Sequence, residues 1–133
     1  MRIARNLRIA LPALLALLLA APLMAQDASD DGPNIYPQLA ARLVELDVPT
    51  LDVRTDEEVA ETGMAPNATH IPHGQIDAIA EFLGDDPNRA VVVYCRSGRR
   101  AELVVEAMRE RGYGGLVNAG GYSDLTEALD NAD

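Results

Sequence analysis

Val91-Val92-Val93-Tyr94-Cys95-Arg96-Ser97-Gly98-Arg99-Arg100-Ala101 reads as a strand ending on a thiol, a short loop with a glycine, and the start of a helix. Ala90 to Tyr94 is a continuous apolar run, the pattern of a central parallel strand covered on both faces. Cys95 is the only cysteine of the chain. A helix N-terminus and neighbouring arginines favour a thiolate over a thiol. The same arginines are badly placed for the helix they begin, because cations at an N-terminus oppose the macrodipole. A break in local preference without a packing reason marks a candidate functional site, and an anion held among Arg96, Arg99 and Arg100 resolves it. A tight strand-to-helix turn points several backbone N–H groups inward as an anion-binding nest, and Gly98 supplies the freedom such a turn needs. The plain alternative is a small buried cysteine beside a solvated arginine cluster, since free cysteine is often buried.

Outward from this stretch, strands alternate with helices. Ile35, Leu39, Leu43 and Leu46, with Ala40 and Val44 alongside, predict a helix over Pro37 to Leu46 packed on one face. Thr50 to Val53 is a short strand, and Thr55 to Glu58 has the form of a capping box for a helix that stops at Gly63. An extended piece is expected around Thr69-His70-Ile71, then an amphipathic helix carrying Ile76, Ile79, Ala80 and Leu83. Leu103, Val104, Ala107 and Met108 are expected to form the inner face of the helix after Cys95, with Gly112 at its end. Leu116 to Asn118 reads as a last strand, after which Gly120-Gly121 turns the chain into a terminal helix from Tyr122 to about Leu129. The expectation is an α/β domain with a mainly parallel central sheet flanked by helices. Ligands of such sheets bind beyond the C-terminal ends of the strands, where Cys95 lies.

The beginning of the chain reads differently. Arg2, Arg5 and Arg8 precede the apolar stretch Ile9 to Ala21, which is shorter than a membrane span. This predicts a removable secretory signal over residues 1–25, cleaved near Ala25, and a periplasmic or secreted protein. Residues 26–34 then form a flexible mature N-terminus, and residues 35–133 the folded domain. Without the signal, eight arginines face all 21 acidic residues, for a net charge of −13. An acidic exterior of that kind argues against nucleic acid or an anionic membrane surface as partner. It does not decide against anion binding, because exposed charges more than about 8 Å away are largely screened at physiological salt. A single thiol in an oxidising compartment has no partner for an internal disulfide. Either burial or reactivity accounts for it.

The loop from Cys95 to Arg100, with strand before and helix after, resembles the active-site loop of the rhodanese (thiosulfate sulfurtransferase) family. Leu51-Asp52-Val53-Arg54-Thr55 with Glu57-Glu58 is similar to that family's first strand and following helix start. Gly63, Pro66, Ala68, Ile71 and Pro72, then Gly112-Tyr113 and Asn118-Ala119-Gly120-Gly121, match later parts of its pattern. The resemblance runs from about Pro37 to Leu125, and in size and export signal it is nearest the small periplasmic rhodaneses of the phage-shock type. Met64, Asn67 and Leu125 depart from the family's usual His, Gly and Trp; none lies in the loop.

The resemblance implies a rhodanese-like domain in which Cys95 takes sulfane sulfur from thiosulfate or a similar donor. A persulfide then passes it to cyanide or a thiol. On that reading the backbone N–H groups from Arg96 through Ser97, Gly98 and Arg99 to Arg100 hold the persulfide. The three arginine side chains attract the anionic donor, while Asp52 and Arg54 support the strand ends. Alternatives are a sulfur-carrying or anion-binding module without turnover, and phosphatase or arsenate reductase chemistry. The last is disfavoured by the Cys-x4-Arg spacing, since related phosphatases and arsenate reductases use Cys-x5-Arg. His70 and His73 lack a third clustered ligand and make a weak metal signal. No metal or cofactor is expected.

Overall fold

β3, Val91–Cys95, is buried along its whole length, and its alternation divides the core. Val91, Val93 and Cys95 face one layer of helices, Val92 and Tyr94 the other. The computed structural model describes residues 32–132; the expected signal over residues 1–25 and the start of the flexible stretch lie outside them. In chain order the elements are α1 (Pro37–Glu45), β1 (Thr50–Asp52), α2 (Asp56–Thr62), β2 (Ala68–His70) and α3 (Ile76–Leu83). After β3 come α4 (Arg99–Glu110), β4 (Leu116–Gly121) and α5 (Tyr122–Asp130). The four strands form one parallel sheet in the order β2-β1-β3-β4. This is the single α/β domain with a parallel sheet that the alternation of strands and helices predicts.

The order explains where a site can form. β2 lies on one side of β1 and β3 on the other, so the chain reverses its direction of winding between them. At such a switch point the loops leaving adjacent strands part and open a crevice at the C-terminal strand ends. Asp52 of β1 is in register with Tyr94 of β3, and Cys95 follows. The thiol and the Asp52–Arg54 segment therefore share one edge of the sheet.

Ile79 and Leu83 of α3 with Ala101, Val104 and Met108 of α4 cover the face that carries Cys95. Ala40, Ala41 and Val44 of α1 with Leu125 and Ala128 of α5 cover the other. The inner stripe of α1 is not the expected one. Leu39 is 49% and Leu46 74% exposed, Leu43 packs only partly inward, and Ile35, before the helix, sits beside Gly98 and Gly120. α1 meets both α5 and β4, and the small side chains of Ala40 and Ala41 allow that close approach where leucines would hold the helices apart. Leu103 of α4, expected inside, is likewise 54% exposed, and Ala101 and Val105 are buried instead. Gly120 and Gly121 do not form a turn either. They continue β4, with a register shift against β3 between Val93 and Cys95, and α5 begins at the next residue. A Cβ on Gly121 would run into the carbonyl of Arg96, so this glycine lets the loop after β3 lie directly on β4.

The buried face of α1 is open to test. Ala41→Leu should cost about 1–3 kcal/mol by overpacking, and Leu39→Ala should stay within about 0.5 kcal/mol of wild type. Urea unfolding of the two variants measures both, and the reverse ranking would show that the leucines form the buried face.

Candidate active site

Three residues, Arg96 to Gly98, carry the chain from β3 into α4. Gly98 is the N-cap of α4 and lies in the left-handed region, with φ 99° and ψ −14°, a conformation that costs glycine little. The first N–H groups of a helix have no partner inside it. Here two of that neighbourhood close on the thiol: Gly98 N donates to Cys95 Sγ at 3.0 Å and Ala101 N at 3.4 Å. The thiol is fully buried beneath them. Both N–H groups point their positive ends at the sulfur. Gly98 belongs to the set expected from the sequence, while Ala101 lies one residue beyond it.

The three arginines separate into two kinds. Arg96 and Arg99 are exposed, and among the described residues neither forms an ion pair. Arg100 is bound by both of its terminal nitrogens to the two oxygens of Glu58, each at 2.9 Å. Glu58 also completes the capping box of α2: its Oε1 accepts from Thr55 N at 2.9 Å, and its own N–H donates to Thr55 Oγ1 at 3.2 Å. One carboxylate thus caps α2 and anchors the end of the loop. The hydrogen bonds from Arg100, with that from the Thr55 backbone, bring the Glu58 carboxyl down to about 2. The Arg100 guanidinium is raised in turn, chiefly by Glu58, against the effect of burial and with help from the Cys95 sulfur. The capping box is visible in the sequence; its second bond, 42 residues away, is not.

Asp52 and Arg54 form a buried pair at 2.7 Å. Arg54 Nε contacts both Asp52 oxygens, and its terminal nitrogens reach Thr62 Oγ1 and Gly63 O at 2.8 Å, closing the C-terminal end of α2. Its guanidinium lies 4.6 Å from the Tyr122 ring centroid and 5.4 Å from that of Tyr94. Tyr94 donates its hydroxyl proton to Asp52 Oδ2 at 2.6 Å and accepts from Ala65 N at 2.9 Å. Burial pushes the Asp52 carboxyl up, but the bonds from Arg54 and Tyr94 together outweigh it and hold it below the usual carboxylate range. Burial also drives the Tyr94 hydroxyl well above its ordinary value. The network is closed on itself, which suits a support at the strand ends and not a reacting group.

A cleft of about 280 Å³ opens beside the loop, with Arg96 and Tyr122 on one wall and Glu58, Glu61 and Thr62 on the other. A larger groove, about 470 Å³, lies between α1 and α5 and contains no residue of the loop. His70 is committed elsewhere, its Nε2 donating to Arg54 O at 2.7 Å. Among the described residues no three His, Cys, Asp or Glu side chains come together as a metal site, and no helix is long and apolar enough to cross a membrane.

Residues 36–128 match the family model for the rhodanese-like domain. The chain belongs to that family. A sulfurtransferase of Allochromatium vinosum is 37% identical over 84 residues, which are 62% of this chain and 76% of that one. The thiosulfate sulfurtransferase PspE of Escherichia coli is 32% identical over 75 residues, 56% of this chain and 71% of PspE. Of a further relative, YtwF of Bacillus subtilis, the match spans 58%, less than two thirds of its length. Among solved structures, the human single-domain sulfurtransferase TSTD1 superposes with a TM-score of 0.56 at 25% identity, covering 74% of this chain and 97% of its own. In this rhodanese-like domain, then, the loop over Cys95, the Glu58–Arg100 tie and the Asp52–Arg54–Tyr94 network occupy the switch point of the sheet.

The Glu58–Arg100 tie has a pH signature. Glu58 has an ordinary value of 4.5 and is held at about 2 in the folded domain. Its contribution to stability is therefore fully present above pH 4.5 and is lost as pH falls through 2. Glu58→Gln should lower the thermal midpoint at pH 7, and the two proteins should converge as pH falls through that window. Parallel curves would show that the tie adds nothing.

Proposed function

We propose that this domain is a sulfurtransferase that carries sulfane sulfur on Cys95. The observation that carries the reading is a buried sulfur at the end of β3 with the N–H groups of Gly98 and Ala101 aimed at it. Such donors stabilise an anionic sulfur without a general base, in the manner of a preorganised oxyanion hole. Thiosulfate is the donor we put first, because Arg96 and Arg99 offer exposed positive charge at the loop and the PspE relative bears that substrate in its name.

The chemistry balances in two displacements. The Cys95 thiolate attacks the outer sulfur of thiosulfate, a new S–S bond forms, and sulfite leaves with the electron pair of the old one. The terminal sulfur of the resulting Cys95 persulfide carries the negative charge. Cyanide or a thiolate then attacks that sulfur, and Cys95 departs as a thiolate, ready for another cycle. Arg96 and Arg99 favour entry of the doubly charged donor and stabilise the departing sulfite. Arg100 is tied to Glu58 and its guanidinium also acts on the Cys95 sulfur. We also propose that the domain works outside the cytoplasm after removal of residues 1–25.

Two measurements test these readings. Intact-mass measurement after incubation with thiosulfate should show one added sulfur atom on wild type and none on Cys95→Ser. No added sulfur on wild type, or equal addition on the variant, removes the proposal. A persulfide that forms but is discharged by neither cyanide nor thiols would point to a sulfur carrier instead. For the location, N-terminal sequencing of protein recovered from a periplasmic fraction should begin near Gln26, and an intact Met1 or Arg2 terminus would refute export with cleavage.

A further inference from the structure

Two left-handed glycines stand back to back behind the active loop. φ is 99° at Gly98 and 93° at Gly120, and a Cβ on Gly98 would lie 3.2 Å from Gly120 Cα and 2.9 Å from Ile35 Cγ2. Asn118, only 3% exposed, bonds to both of them. Its Nδ2 donates to Gly98 O at 2.9 Å, and its Oδ1 accepts from Gly120 N at 2.8 Å. Nδ2 also reaches Glu102 Oε1 at 3.2 Å. Only a carboxamide presents a donor pair and an acceptor on one short planar group. An aspartate lacks the donor, and a leucine of similar shape lacks both.

Gly98 is held from its other side by the sulfur. Its N–H donates to Cys95 Sγ, and its carbonyl accepts from Asn118 and from Glu102 N at 3.0 Å. The two peptide planes that meet at Gly98 Cα are thus fixed at opposite ends, one by Sγ and one by the Asn118 carboxamide. In the left-handed region glycine has room to rotate, and a free rotation here would carry the N–H away from the sulfur.

We propose that Asn118 is a positioning residue for Cys95: by holding the Gly98 carbonyl it keeps the Gly98 N–H aimed at Sγ and so favours the thiolate. Asn118 touches neither the sulfur nor the cleft. The clamp acts on the thiol whether or not sulfur transfer follows. Charged groups close to the loop include its three arginines, Glu58 and Glu61 of α2, Glu102 of α4, Asp124 of α5 and the closed Asp52–Arg54 pair. Replacement of Asn118 by leucine removes none of these charges, although it also releases Glu102 Oε1 from its bond to Nδ2.

The test is a pH titration of the thiolate ultraviolet absorbance, with Cys95→Ser subtracted as blank. This readout needs no reagent to enter the buried site. Asn118→Leu should lower the thiolate-to-thiol ratio at a given pH about five-fold, the scale of one weakened hydrogen bond to a charged group. Ala41→Leu, destabilised on the opposite face of the sheet, should leave the ratio unchanged. A folded Asn118→Leu protein with the wild-type ratio overturns the proposal, as does an equal change in Ala41→Leu. If Asn118→Leu does not fold, the wild-type protein decides by nuclear magnetic resonance. The Asn118 side-chain amide signals should move with the Cys95 titration, and signals that stay still refute the clamp. Failure of thiosulfate to load Cys95 would count against sulfur transfer and leave this outcome untouched.

Discussion

The chain has to turn from β3 into α4 within Arg96, Ser97 and Gly98 while its N–H groups close on a buried sulfur. Much of the domain is shaped by that constraint. Gly98 must be left-handed, so the space where its side chain would stand is filled by Ile35 and Gly120. The Arg96 carbonyl presses on β4, so position 121 has no room for a Cβ. β4 in turn shifts register against β3 where the loop leaves the sheet. A backbone nest makes no demand for a titrating partner, and among the described residues the hydrogen bonds to the Cys95 sulfur come from the backbone N–H groups of Gly98 and Ala101.

Two ion pairs frame the loop and differ in kind. Asp52–Arg54 is buried, shares its lone pairs with the Tyr94 hydroxyl, and spends the remaining Arg54 donors on the end of α2. Removing one partner would leave the other charged and unpaired in the core, at a cost of about 3–5 kcal/mol. Glu58–Arg100 is partly buried and couples the start of α2 to the start of α4. It also resolves part of the electrostatic oddity of the loop. Three cations do not press on the N-terminus of α4, because one of them is already neutralised. The other two remain open to solvent, and Arg96 shares its cleft with Glu58 and Glu61.

Much of the fold is legible in the residue order, for identifiable reasons. Alternation of strand and helix patterns implies the parallel sheet, and the unbroken apolar run of β3 implies cover on both faces. The capping box at Thr55 and Glu58 and the glycine at 63 mark the ends of α2 through bonds and backbone angles that span a few residues. The inner faces of α1 and α4 are less legible. Apolar residues at Leu39, Ala40, Ala41, Leu43, Val44 and Leu46 allow more than one inward face, and the closeness of α5 and β4 selects the alanines. Gly120-Gly121 reads as a turn because glycine favours turns, yet its role is to admit a neighbouring carbonyl.

The site divides along the same line. By itself the sequence determines that a lone thiol ends the best strand, that a glycine and three arginines follow it, and that Asp52 and Arg54 lie near another strand end. These are matters of adjacency and spacing, and a single strand-to-helix turn holds most of them. Only the tertiary structure decides that Ala101 supplies a second N–H to the Cys95 sulfur, that Arg100 pairs with Glu58, and that Asn118 grips Gly98. Each of the last two contacts joins residues at least 20 positions apart. Whether a polar side chain meets a partner at that separation depends on sheet order and register, and neither is written in any local pattern.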